Sequence, residues 1–139
     1  MLSCQIVFSS QIKTLIPIAD SYVRNVQPNS NYGGESGLLV INNYREEDIA
    51  FIMFNLIEIP SDTPIISVKL RLYAKFVFYS FNISVFHCPN NDWGEFNITW
   101  INKPSFSVDA LDSVVVDRED TWYEWNVTFP VKFAHMQND

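Results

Sequence analysis

Residues 65–78 read IISVKLRLYAKFVF. Val68, Leu70, Leu72 and Ala74 share one parity; Lys69, Arg71, Tyr73 and Lys75 share the other. Successive side chains of a strand point to opposite faces, so this stretch is a β-strand with one apolar face and one cationic, aromatic face. The segments around it follow the same grammar. Residues 82–87 alternate again, with Ile83 and Val85 opposite Asn82, Ser84 and Phe86. Residues 49–56 (IAFIMFNL) are apolar at nearly every position, the pattern of a strand buried on both faces. Residues 15–23 read as an edge strand, because Pro17 cannot donate to a central ladder. Further short strands are expected at 38–41, 97–101, 112–117 and 122–128. Turn clusters such as Pro28-Asn29-Ser30-Asn31-Tyr32-Gly33-Gly34 and Pro89-Asn90-Asn91-Asp92 separate them. No stretch has helix caps and a 3.6-residue period. The expected fold is all-β, a β-sandwich of jelly-roll type.

The chain has 139 residues, enough for one domain, read here as 14–139 behind an extension at 1–13 that lacks a clear period. Hydrophobic residues make up 47% and aromatics 15%, which favours a packed core and strands over disorder. Nine Lys and Arg against sixteen Asp and Glu leave a net charge of −7, which argues against binding the phosphate backbone of a nucleic acid. No uncharged apolar run approaches the about 20 residues of a membrane-spanning helix. The first residues do not form a charged start followed by an apolar block, so no secretory signal is legible. Cys4 and Cys88 are compatible with one disulfide or with two buried thiols.

No nucleophile elbow or zinc-protease motif is present. His87 and Cys88 are strand neighbours and point apart, which disfavours a catalytic pair. Glu46, Glu47 and Asp48 beside Arg45 read as a solvated loop, as do Asp117, Glu119 and Asp120. An enzyme is therefore not expected. A hard cation such as calcium takes oxygen ligands, and Asp20, Asn29, Asn31 and the carbonyls of Gly33 and Gly34 are candidates; turn geometry alone also accounts for these residue types. The row Lys69, Arg71, Tyr73 and Lys75, with Tyr22 and Arg24 on the first strand, suits an acidic sugar. Arg takes carboxylates in a fork and rings stack on sugar faces. The plain alternative is a solvated outer face whose long stems cover the sheet. Trp122 and Trp125 are three apart, so a regular strand cannot turn both to the core. Three sequons, at Asn82, Asn97 and Asn126, matter only in a host that exports and glycosylates the chain.

Several blocks in order resemble a known family. They are Ile18-Ala19-Asp20-Ser21-Tyr22-Val23-Arg24 with Pro28-Asn29-Ser30-Asn31-Tyr32-Gly33; Phe51 to Leu56 with Ile59-Pro60; and Ile66 to Tyr73. Trp93-Gly94-Glu95, Ile98-Thr99-Trp100, Asn102 and Pro104 follow, then Trp122 to Thr128 with Val131. Together they resemble the DNRLRE domain, also classed as carbohydrate-binding module family 96, over about residues 15–133. The resemblance implies a jelly-roll module of extracellular or cell-surface proteins, able in some members to bind acidic polysaccharides such as alginate. Related jelly rolls commonly hold a structural calcium. Arg71 and Asp20 match family positions directly. Asn126 stands where the family usually has Asp. The chain ends soon after Val131, where the family continues for more strands, so the expectation is a truncated sandwich; residues 1–13, or strand addition from another chain or a longer parent protein, are the other sources of the missing strands. A structural or adhesive surface module without a free-glycan ligand is the alternative function.

Overall fold

The computed structural model describes residues 2–8 and 11–137; residues 1, 9, 10, 138 and 139, which belong to the expected extension and to the end of the expected domain, lie outside the described residues. Nine strands and one helix follow in order: β1 Leu2–Phe8, β2 Gln11–Leu15, β3 Ala19–Arg24, β4 Ile41–Asn42, β5 Glu47–Met53, β6 Ser67–Ala74, β7 Phe81–Val85, β8 Asp112–Val116, β9 Thr121–Asn126 and α1 Thr128–Gln137. All strand pairs are antiparallel. The chain is thus all-β with one short helix, as a β-sandwich requires. It divides into two compact units, one of residues up to Ile16, Asn55–His87 and from Ser107 onward, the other of Pro17–Phe54 and Cys88–Phe106.

The first unit holds a four-stranded sheet in the order β2-β1-β6-β9 and a two-stranded sheet, β7-β8. The alternation of residues 65–78 decides the larger sheet. Val68 and Leu70 of β6 turn inward, in register with Ile6 and Cys4 of β1, and Leu70 faces Trp125 of β9. Leu15 of β2 pairs with Cys4, so one buried row crosses all four strands. The Trp125 indole N–H donates to the Ile83 carbonyl of β7 at 2.9 Å, which keeps a fully buried donor paired and ties the two sheets. Cys4 is a free thiol inside this core, and burial pushes its pKa up to about 11. Cys88, in the second unit, is also a free thiol.

Two expectations are corrected in this unit. Residues 2–8, read as part of an extension, form an inner strand and bury Cys4, Ile6 and Phe8. Residues 128–137, read as the tail of a strand and a short end, form a helix. Its first turn is fixed by side chains: Asn126 Oδ1 accepts the Thr128 N–H at 3.0 Å, and Thr128 Oγ1 accepts the Val68 N–H at 2.9 Å. Pro130 sits in the first turn, where a missing N–H does no harm. His135 is buried and its Nε2 donates to the Pro60 carbonyl at 2.9 Å, a structural role.

The second unit is a three-stranded sheet, β3-β5-β4, over a core of Val23, Phe51 and Ile98. Trp93, Trp100, Phe106, Ile49 and Cys88 pack around it, with Phe51 edge-on to Trp93 and Phe106. The expected strand at 15–23 is interrupted at residues 16–18, around Pro17, and resumes at Ala19. The strand expected at 38–41 is reduced to Ile41–Asn42. The strand expected at 97–101 is a turn. Gly94 O accepts the N–H groups of Asn97 and Ile98, Asn102 Oδ1 accepts the Thr99 N–H, and Asn102 Nδ2 donates to Asn97 O. These local bonds take the partners that a ladder would need.

Candidate functional site

The outward face of the four-stranded sheet carries the row that the sequence singled out. Lys69, Arg71 and Tyr73 occupy alternate positions of β6, and Lys75 follows just past its end. The register sets Asn126, Glu124 and Trp122 of β9 opposite Lys69, Arg71 and Tyr73. On the other side, Gln5 and Ser3 of β1 lie opposite Lys69 and Arg71, and Thr14 of β2 lies opposite Gln5. The result is a polar sheet face with two aromatic rings at one end.

The geometry at that end is specific. The Arg71 guanidinium lies over the Trp122 ring, 4.7 Å from its centroid, and Trp122 meets Tyr73 edge-on at 5.4 Å. Glu124 sits between two cations, with Oε2 3.0 Å from Arg71 Nε and Oε1 3.6 Å from Lys69 Nζ. Arg71 Nε nonetheless makes no aligned hydrogen bond, so this contact is an ion pair rather than a fork. At the loop end, Asp120 Oδ1 accepts from the Tyr73 hydroxyl at 3.1 Å and from Lys75 Nζ at 3.3 Å. Both contacts, Tyr73's hydroxyl first, hold the Asp120 carboxyl below its ordinary pKa. Three cations therefore face two carboxylates. Asp120, read from the sequence as a solvated loop residue, is a partner of this face. Trp122 and Glu124 were not legible as site residues, because the pairing of β6 with β9 is a long-range choice; the only sequence signal is that Trp122 and Glu124 share a parity that Trp125 does not.

Tyr22 and Arg24, the other two candidate glycan residues, belong to the second unit and lie on β3. Tyr22 stacks on Tyr32 with centroids 4.5 Å apart and planes 12° apart. Arg24 is committed to carboxylates of its own chain. It is hydrogen-bonded and ion-paired to Glu46, and its Nε lies 3.2 Å from Asp48 Oδ2. The hydrogen bond to Glu46 raises the Arg24 pKa above its ordinary value. Asp48 is buried rather than solvated, and neither of its carboxylate oxygens has an aligned hydrogen-bond donor. Burial pushes its pKa up to about 6.

The candidate calcium ligands Asp20, Asn29, Asn31, Gly33 and Gly34 also lie in the second unit, in different circumstances. Asn31 is already used: its Nδ2 donates to the carbonyls of Glu95 and Ile98, and its Oδ1 accepts the Gly33 N–H. Gly33 is packed so closely on Glu95 that a Cβ would collide with the Glu95 carbonyl. Asn29 is exposed. Asp20 lies beside Glu95, whose Oε1 accepts the Asp20 N–H at 2.8 Å. Burial and then the Glu95 charge raise the Asp20 pKa. Asp20 and Glu95 are thus neighbouring carboxyls, while Asn31 serves as a latch. Among the described residues, no three His, Cys, Asp or Glu side chains come together as metal ligands.

A family model describing carbohydrate-binding module family 96 matches residues 11–139. The chain belongs to that family. Membership makes this chain a carbohydrate-binding module, and it agrees with the resemblance carried by the quoted blocks. No curated protein matches the chain. No helix among the described residues is long and apolar enough to cross a membrane.

Proposed function

We propose that this family 96 module binds an acidic polysaccharide, without catalysis, on the outward face of the β2-β1-β6-β9 sheet, within an extracellular or cell-surface protein. The observation that supports this reading is the Arg71–Trp122–Tyr73 group with Lys69 and Lys75 beside it. Trp122 and Tyr73 offer ring surface to a sugar face, and Gln5 and Ser3 are placed to meet hydroxyls. The cations outnumber the carboxylates by one, which leaves charge for a uronate.

Titration of the chain with alginate and with a neutral β-glucan tests it. Alginate binding is expected to weaken steeply between low and high salt, since exposed ion pairs are screened. Arg71→Ala is expected to reduce affinity about tenfold or more, the cost of a charged contact. Affinity for the neutral glucan that exceeds that for alginate, or an unaffected Arg71→Ala variant, would overturn the acidic reading.

A structural calcium at Asp20 and Glu95 is part of the proposal, because a cation there would offset the repulsion of two adjacent carboxyls. It is checked by thermal unfolding with calcium and with a chelator; a midpoint that neither additive moves would remove calcium from the account. A second reading, a surface module that contacts protein, is favoured by one observation. Phe129, Phe133 and Met136 form an exposed apolar stripe along α1, spaced four and three apart.

A further inference from the structure

We infer that Glu124 sets the glycan selectivity of this face by occupying, from within the chain, the place a ligand carboxylate would take. The inference rests on the reading of the outward sheet face as the glycan platform.

Glu124 is the one β9 carboxylate in register with the cationic row, directly opposite Arg71. Its two oxygens are divided between Arg71 Nε at 3.0 Å and Lys69 Nζ at 3.6 Å. A free uronate would approach these same two cations. Two features make the internal pair exchangeable. Glu124 is half-exposed, so water can replace its partners at small cost, and surface ion pairs contribute little individually. The Arg71 Nε–H is also left without an aligned acceptor, although it is screened from solvent. The guanidinium itself is held in place over Trp122, so it is oriented before any ligand arrives. An incoming carboxylate can supply the better-aligned acceptor only if Glu124 withdraws. Every uronate bound therefore competes with Glu124, whereas a neutral sugar stacked on Trp122 does not. The carboxylate thus damps binding of polyanions and leaves neutral sugars unaffected.

The test uses the full chain and its Glu124→Gln variant, which keeps the shape of the side chain and removes the charge. Each is titrated with alginate and with a neutral β-glucan at several salt concentrations. Glu35→Gln, a like change of charge in the second unit, is the control. The expected result is a five- to tenfold gain in alginate affinity for Glu124→Gln, about what releasing two exposed ion pairs provides. The neutral glucan titration should be unchanged and the alginate salt dependence steeper. Glu124→Ala should give the same direction, with thermal unfolding of both variants as the check that they are folded. An unchanged or weaker alginate affinity for Glu124→Gln, while Arg71→Ala still weakens binding, would overturn the role of Glu124 and leave the glycan platform standing. An equal gain for Glu35→Gln would also overturn it, since net charge alone would then be responsible. No glycan binding by any of the proteins would overturn the platform and this inference with it.

Discussion

Asp48 is the residue whose environment differs most from its sequence context. It sits in a charged run, yet its side chain is fully buried, with Arg24 3.2 Å away and Glu46 competing for the same guanidinium. Its pKa is about 6 in the folded chain, above the ordinary 3.8. The folded state therefore holds the proton more tightly, so the favourable contribution is complete below about pH 4 and is lost as pH rises through 6. At neutral pH the charged Asp48 works against folding. Asp48→Asn is expected to be more stable than the parent by about 1–2 kcal/mol at pH 7.5, with the difference closing by pH 4. Urea denaturation across that range measures it; a variant with the parent's pH slope would show that another group is responsible. Gly33 illustrates a steric constraint in the same unit. Because a Cβ there would strike the Glu95 carbonyl, Gly33→Ala should shift the loop that Asn31 latches and lower the unfolding midpoint.

Among the elements, α1 depends on its junction with β9. Asn126 Oδ1 accepts both the Thr128 N–H and the Thr128 hydroxyl, at 3.0 and 2.6 Å. The family's usual Asp would also accept these bonds, so the Asn here keeps the cap and omits the charge. Asn126→Ala should cost about 1 kcal/mol, the usual loss for a missing helix cap. Asn126→Asp should recover most of it, which a denaturation series with both variants would show. Thr128 couples the helix to the sheet through the Val68 N–H. The β6–β9 pair also explains how structural and candidate binding residues coexist. One parity of β9 supplies Trp125 to the core, and the other supplies Trp122 and Glu124 to the outward face.

For the molecule as a whole, the place of β1 carries the strongest prediction. It lies between β2 and β6, and it buries Cys4, Ile6 and Phe8. The family match begins at residue 11, beyond this strand. A chain starting at Gln11 would uncover Val68 and Leu70, which β1 pairs with. Three lost apolar side chains at about 1.5–3 kcal/mol each make a loss of about 4.5–9 kcal/mol. That is comparable to the total stability of many domains. The shortened chain is expected to lose its cooperative transition, followed by Trp fluorescence. Unfolding at the parent midpoint would show that β1 is dispensable.

Composition and parity alone determined that the chain is all-β, that residues 67–74 present a buried and an outward face, and that Lys69, Arg71 and Tyr73 share the latter. They could do so because a strand's two-residue period is local. Residues 2–8 were missed although Cys4, Ile6 and Phe8 alternate, because Val7 on the opposite parity blurs the pattern. The helix was missed because Phe129, Phe133 and Met136 face outward, so its apolar stripe does not mark a core-facing side. Only the tertiary structure decided which strand lies beside β6. That register pairs Arg71 with Glu124 and Tyr73 with Trp122, joins groups 49 or more residues apart in the chain, and turns a cationic strand into a nearly balanced face. Partner choice of this kind depends on how the buried rows fit together, a property that no local pattern encodes.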